Sequence, residues 1–171
     1  VKSIHFYLVI RIVLASWLWL LAVMVVEAAD VLPYQSSPRG TVSGDMTVYG
    51  TVTIGFQGPH VSETDTHVNP FLYYRLDVWF EHDDSRDAVR VPGYFAADGN
   101  AANTSADGGA KWRCHISPDE AGEWTYSASF RSGSNVAVND NASAGSPAGY
   151  MDGDAGAFAV QNTNKTGRDM R

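Results

Sequence analysis

Residues 46–57 read MTVYGTVTIGFQ, and apolar and polar side chains alternate along this stretch. Val48, Val52, Ile54 and Phe56 fall on one face, and the residues between them fall on the other. A period of two is typical of a β-strand with one buried face and one solvent-exposed face. The stretch therefore predicts a strand that packs on a core through its apolar side.

The same pattern recurs later in the chain, at residues 71–80, 89–95, 111–116, 123–130 and 157–160. The side chains expected to point inward are Leu72, Tyr74, Leu76, Val78, Phe80, Trp112, Cys114, Ile116, Trp124, Tyr126, Ala128, Phe130, Phe158 and Val160, while Val89, Val91 and Phe95 suggest a strand that Pro92-Gly93 interrupts. Turn residues separate these strands, and no helical period is evident after residue 30. The pattern predicts an all-β fold, an antiparallel β-sandwich, with one long loop at residues 133–156.

The first 28 residues have the three parts of a cleavable signal peptide. Lys2 and Arg11 precede an uncharged apolar run at residues 12–26. Val26 and Ala28 are small residues at the positions that a signal peptidase reads. The alternative is a membrane anchor, but the run is shorter than the about twenty apolar residues that span a bilayer. We expect cleavage after Ala28, a secreted or periplasmic protein, and no stable membrane anchor.

Composition limits the possible partners. The net charge is −7 at pH 7, which argues against binding nucleic acid through a basic face. Cys114 is the single cysteine, so an internal disulfide is excluded. The expected organisation is a signal peptide at residues 1–28, a lead-in at 29–44, the sandwich at 45–160 and the start of a linker at 161–171.

A series of ordered motifs across residues 45–171 resembles a known bacterial family. The motifs are FQGP at 56–59, NPF at 69–71, YRLDV at 74–78, VPGYF at 91–95, AADGN at 96–100, KWR at 111–113, PDEAGEWTY at 118–126 and KTGRD at 165–169. That family is an N-terminal immunoglobulin-like domain of unknown function that precedes (β/α)-barrels of glycoside-hydrolase type. The sequence ends where the lead-in to the barrel would begin, so no hydrolase activity is expected of this chain.

The resemblance implies a non-catalytic accessory domain of a secreted carbohydrate-active enzyme. Its partner would be the catalytic barrel of the parent protein, which the domain docks on or orients. The alternative is an autonomous module that binds carbohydrate or mediates adhesion. The motif at 118–126 resembles the turn before a late strand in immunoglobulin folds, where we expect Asp119, Gly122, Trp124 and Tyr126 to form a structural corner.

Six residues are candidates for contact with a catalytic domain or with carbohydrate. Tyr73, Arg75, Asp77 and Trp79 are expected opposite the inward face of their strand, and Tyr94 and Phe95 follow the Pro92-Gly93 break. Aromatic rings of this kind could stack on sugars, but burial against a catalytic domain is the favoured interpretation.

Catalytic and metal sites are not expected. Asp77 and Glu81 would lie about 13 Å apart on one strand, whereas a glycosidase pair needs about 5–9.5 Å. The turns at Asp98-Gly99-Asn100 and Asp152-Gly153-Asp154 could supply oxygen ligands for calcium, but such turns are commoner without metal. No cofactor is expected.

Overall fold

The computed structural model describes residues 40–84 and 87–166, and these residues form two antiparallel β-sheets. The all-β sandwich expected from the alternating pattern is confirmed. The predicted signal peptide and the last five residues of the predicted linker lie outside the described residues. Neither short helix in the described ranges has the length or apolarity that a membrane crossing requires.

The first sheet contains four strands in the order β1-β2-β6-β5. They are β1 (Thr41–Gly44), β2 (Val52–Ser62), β5 (Tyr94–Phe95) and β6 (Gly108–Ile116). β1 lies in the stretch that the sequence assigned to a lead-in, so the sandwich begins before residue 45. Thr41 pairs with Gly55, and Gly55 pairs in turn with Arg113.

The second sheet contains five strands, in the order β4-β3-β7-β8 with β9 also paired to β7. They are β3 (Tyr74–His82), β4 (Val89–Pro92), β7 (Gly122–Ser132), β8 (Ser146–Pro147) and β9 (Ala155–Val160). The predicted long loop at 133–156 contains a 3-10 turn (Val136–Val138) and β8. Gln161, where the linker was predicted to begin, still bonds to the backbone of Met46 and Val48.

The core fills the space between the sheets with the side chains that the period of two placed inward. Trp112, Phe130 and Phe80 are the largest fully buried side chains. Trp112 packs edge-on against Phe130 with ring centroids 4.9 Å apart, and Tyr74 stacks on Phe130 at 5.2 Å. The contact between Trp112 on β6 and Phe130 on β7 joins the two sheets, whereas Tyr74 on β3 and Phe130 lie in the same sheet.

Leu72, predicted to point inward from the strand at 71–80, is exposed, and so is Val89 in the predicted strand at 89–95. Leu72 belongs to α1 (Pro70–Tyr73) and not to a strand, because Asn69 caps that helix and Pro70 occupies its first turn. Val89 opens the edge strand β4 and is exposed. The second helix, α2 (Ala101–Thr104), lies in the loop before β6.

Gly93 marks the point where the chain passes from one sheet to the other. β4 pairs with β3 in the second sheet, whereas β5 pairs with β6 in the first sheet. The Gly93 N–H donates to the Leu76 carbonyl. A Cβ at this position would overlap the Leu76 side chain, so a glycine allows the close approach. The predicted interruption at Pro92-Gly93 is therefore this change of sheet.

Candidate functional site

Arg75 and Asp77 lie under a loop and not on an open face. Their side chains are 7% and 3% exposed, and the Arg75 Nε atom lies 3.1 Å from a carboxylate oxygen of Asp77. Arg90 closes the other side of Asp77 at 2.8 Å. Both charged groups are therefore engaged inside the domain. A direct contact of Arg75 or Asp77 with a second molecule stays a prediction.

The Arg75 guanidinium also organises the loop after β7. It donates hydrogen bonds of 2.6–3.2 Å to the backbone carbonyls of Val136, Asn139, Asn141 and Ala142. Four carbonyls bound to one charged donor fix a segment that has little regular secondary structure. The ion pair with Asp77 compensates the buried charge, so the 3-10 turn is held in one position.

Three apolar side chains are exposed at the end of the sandwich where α1 packs on the 3-10 turn. Phe71, Leu72 and Val138, which we call the end patch, are 50%, 46% and 66% exposed. The Phe71 and Phe95 rings contact each other edge-on, with their centroids 6.4 Å apart. Tyr73 ends α1 and packs against the ring of Tyr74, so the structure places it beside the end patch and not beside Trp79 on β3.

Trp79 is the one predicted contact residue at the centre of the outer face of the second sheet. It pairs with Arg90 on β4 and with Ser127 on β7, and its side chain is half-buried. Small residues of β7 and β9 lie beside it and leave a shallow groove of about 490 Å³ that also contains Glu81. The Trp79 ring therefore projects from a surface of mostly small side chains.

Tyr94 and Phe95 point in opposite directions from β5. Phe95 belongs to the core and contacts Trp112 at 5.3 Å between ring centroids. Tyr94 is exposed, and its hydroxyl lies 2.8 Å from Nε2 of His115. The Nδ1 atom of His115 lies 2.8 Å from the Thr53 hydroxyl. The imidazole thus connects an edge strand to the middle of the first sheet.

A larger groove of about 660 Å³ runs over the outer face of the first sheet; we call it the sheet groove. Its lining comes from β1, β2, β6 and the turn at residues 98–100. Lys111, Arg113 and His115 line it from alternate positions of β6. The Arg113 Nη2 atom donates to the Gly99 carbonyl at 2.6 Å, which ties the rim of the sheet groove to its floor.

The aspartates of the two candidate calcium turns accept hydrogen bonds from within the domain. Asp98 accepts from the Thr104 hydroxyl and the Asn100 N–H, and these bonds, with nearby Arg113, lower the pKa of its carboxyl group. Asp152 accepts from the Phe130 N–H, and Asp154 from the Gly40 N–H. In the part of the chain that the structure describes, no cluster of three or more His, Cys, Asp or Glu side chains is placed to hold a metal.

The predicted corner lies at the start of β7. The Trp124 Nε1–H donates to the Glu120 carbonyl at 3.1 Å, and the Tyr126 hydroxyl donates to the Gly40 carbonyl at 3.2 Å. Gly122 has φ +140°, and a Cβ there would lie 2.5 Å from Nε2 of His82. Asp119 is exposed and lines a shallow surface depression with His82.

Cys114 is fully buried on the inward face of β6. Desolvation, with a smaller contribution from Asp77, raises the pKa of its thiol to about 12. The thiol is therefore neutral at physiological pH, and the reactive thiolate is suppressed.

The cationic side of the sheet groove was not predicted from the sequence. Lys111, Arg113 and His115 alternate with the inward residues Trp112 and Cys114, so the same period of two could have identified them as outward-facing. Their meeting with Thr53 and Tyr94 depends on the strand order, which the alternation does not contain.

Comparisons with known proteins show where the chain is similar to others. Among solved structures, it matches the crystal structure of a "putative glycoside hydrolase" from Bacteroides vulgatus ATCC 8482, at 20% identity and a TM-score of 0.44. The match covers 72% of this chain and 17% of that one. No curated protein matches the chain. A family model described as "Domain of unknown function (DUF5060)" matches residues 45–131, slightly more than half of the chain, so the chain belongs to the DUF5060 family.

Proposed function

We propose that this chain is an immunoglobulin-like, non-catalytic accessory domain of an exported carbohydrate-active enzyme, and that it docks on the catalytic domain through the end patch. The resemblance of its ordered motifs to domains that precede glycoside-hydrolase barrels supplies the partner. The apolar run at residues 12–26 supports export. The exposed end patch supports the role in docking on the catalytic domain.

The exposure of the end patch is the observation that carries this proposal. Phe71, Leu72 and Val138 are large apolar side chains, and each is about half exposed or more. Adjacent apolar side chains on a surface are a feature of protein contact sites, because their burial on docking removes apolar area from water. Single exposed apolar residues would need no such explanation, but these three lie on α1 and the 3-10 turn, two elements that pack against each other.

The support beneath the end patch favours docking through a surface that is ordered in advance. Arg75 holds four carbonyls of the loop that presents Val138, and the Asn69 side chain caps α1 on the other side of the patch. A surface that is ordered before binding loses less conformational entropy when it docks. Arg75 and Asp77 would thus serve the interface from beneath, by positioning the residues that make the contact.

The immunoglobulin-like type is supported by the corner and by the crossing at Gly93. Trp124 bonds back to a carbonyl four residues upstream, a geometry similar to the aromatic corner of immunoglobulin sandwiches. The chain also exchanges sheets between β4 and β5, which joins the two sheets through a short connection.

The test begins with the DNA that follows the codon for Arg171. If it encodes a further domain, that domain is expressed separately and its affinity for this chain is measured by isothermal titration calorimetry. We expect binding by the wild type and a loss of at least about tenfold in the Phe71→Ser/Leu72→Ser variant, because two apolar contacts are replaced by polar ones.

The matched control is Val89→Ser, which changes an exposed apolar residue of β4 outside the end patch. It should leave the affinity unchanged. Equal affinity of the wild type and the end-patch variant, or no binding to the downstream domain, would contradict the docking proposal.

Trp79 favours a second candidate function, an autonomous carbohydrate-binding module. Its half-buried ring rises from a surface of small residues, where a sugar ring could stack on it. Affinity electrophoresis against neutral polysaccharides distinguishes the two functions: strong retardation that disappears in Trp79→Ala would favour the second.

A further inference from the structure

The sheet groove carries two cationic side chains, Lys111 and Arg113, on an acidic protein. Lys111, Arg113 and His115 occupy alternate positions of β6, so the first and third lie about 13 Å apart along the strand. Within residues 40–84 and 87–166, no carboxylate lies within ion-pair distance of Lys111 or Arg113. The chain as a whole has a net charge of −7.

The cations of the second sheet are used differently. Arg75 and Arg90 share the Asp77 carboxylate, and Arg131 donates to the carbonyls of Ala144, Ser143 and Gly145. Their charges serve the fold. The charge of Lys111, and most of the Arg113 guanidinium, remains available on the outer face of the first sheet.

Asp98 is the acidic side chain that lines the sheet groove. One of its oxygens accepts from the Asn100 N–H, and the other accepts from the Thr104 hydroxyl. Its charge is therefore stabilised mainly by the rim turn, and it offsets part of the nearby Arg113 charge without forming an ion pair at contact distance.

Gly55 gives the sheet groove an open floor at the position opposite Arg113. It lies in the interior of β2, where a glycine weakens a strand and requires a reason. The register is continuous from Val52 to Gln57, so no bulge explains it. Among the described residues, a Cβ at Gly55 would meet the Thr41 carbonyl alone, at an ordinary 3.8 Å. The glycine therefore leaves room for another molecule to approach the backbone of β2 closely.

The other groups around the sheet groove suit a sugar. Hydroxyl groups of Thr41, Ser43 and Thr53 line it, and the exposed ring of Tyr94 stands at its edge beside Arg113. Hydroxyls exchange hydrogen bonds with hydroxyls, and a flat aromatic face can cover the apolar face of a sugar ring.

We propose that the sheet groove binds a segment of an acidic polysaccharide whose sugars carry carboxylate groups. Carboxylates would pair with Lys111 and Arg113, since the planar guanidinium matches the fork of a carboxylate. A sugar ring would lie over Gly55 and reach the face of Tyr94. The saccharide class rests on the proposed function, whereas the anionic charge of the ligand follows from the sheet groove itself.

The experiment measures retardation in affinity gels that contain polygalacturonate, with fully methyl-esterified polygalacturonate as the uncharged counterpart. We expect the wild type to bind the acid form at least about tenfold more tightly than the ester, because ionic hydrogen bonds are lost with the charge. Rising salt should weaken binding to the acid form.

Three variants locate the site. Arg113→Gln and Gly55→Leu should each weaken binding at least about tenfold, the first by removing a charge and the second by filling the floor. Gly55→Leu places a side chain in open space on a strand, so its folding can be checked by thermal melting. Lys165→Gln removes the same charge outside the sheet groove and should have no effect.

Several outcomes would overturn the proposal. They are undetectable binding of polygalacturonate at low salt, equal binding of the acid and the ester, full binding by Gly55→Leu, or tighter binding of a single-stranded oligonucleotide. The end-patch variant Phe71→Ser/Leu72→Ser should keep polygalacturonate binding. Failure of the docking proposal and failure of this one are therefore distinguishable.

Discussion

The outer faces of the two sheets use charged residues in opposite ways. On the second sheet, Arg75 and Asp77 are buried beneath a loop, and Arg75 donates to the loop's carbonyls while Asp77 balances its charge. On the first sheet, Lys111 and Arg113 face an open groove with a glycine floor. Both pairs have the same spacing of two residues along a strand. The difference comes from what the rest of the chain places above them.

This contrast shows that a charged side chain on the outer face of a sheet can have one of two roles. An outward charge with a covering loop contributes to stability, because its removal leaves buried groups unsatisfied. An outward charge without a covering loop contributes little to stability and is available to a ligand. The following predictions test that division in order of decreasing effect on the fold.

Arg75→Met should cause the largest loss of stability. It leaves the buried Asp77 with Arg90 alone and frees four carbonyls, so we expect a loss of about 3–5 kcal/mol in the free energy of unfolding. Urea denaturation measures it. Arg90→Met is the matched control, since its side chain is partly exposed and Arg75 still neutralises Asp77; it should cost about 0–1 kcal/mol.

Trp124→Phe should have an intermediate effect at the corner of the second sheet. The replacement keeps an aromatic ring and removes the donor to the Glu120 carbonyl, so we expect a loss of about 1–3 kcal/mol. Thermal melting followed by circular dichroism gives the shift. An unchanged melting temperature would mean that the corner bond does not stabilise β7.

Cys114 should make stability depend on pH only at alkaline values. Its folded-state pKa is raised from 9.0 to about 12, so the unfolded chain releases the proton first. The contribution of the neutral thiol is complete below pH 9 and is lost as the pH rises from 9 towards 12. Denaturation of the wild type and of Cys114→Val should diverge across this range. Parallel curves would show that the thiol is not desolvated.

Arg113→Met should have the smallest effect on the fold. Its half-buried side chain makes one bond to the Gly99 carbonyl at the rim of the sheet groove, and surface substitutions outside the core usually change stability by about 0.5 kcal/mol or less. Urea denaturation beside Arg75→Met gives the comparison. A loss as large as that of Arg75→Met would remove the distinction between the two faces.

The sequence predicts the core well and the surfaces less well. Alternation identified Trp112, Cys114, Trp124 and Phe130 as inward because a strand imposes the period directly on its side chains. It extended β3 backwards over α1, since a helix of four residues shows no period. The cap at Asn69-Pro70 was a readable signal for that helix.

The candidate sites depend on long-range partners that the local pattern cannot contain. Arg75 meets carbonyls more than sixty residues later in the chain. His115 meets Thr53 and Tyr94 because β6 lies between β2 and β5 in the sheet. Outward direction was therefore predictable, whereas burial beneath a loop and assembly into the sheet groove were not.

The most direct test of the account measures stability and polygalacturonate binding together for Arg75→Met and Arg113→Met. We expect Arg113→Met to keep the wild-type stability and lose binding at least about tenfold. Arg75→Met should lose several kcal/mol of stability but, under conditions in which it remains folded, should bind as the wild type does. The opposite assignment, with binding lost in the folded Arg75 variant and retained in the Arg113 variant, would contradict the division between the two faces.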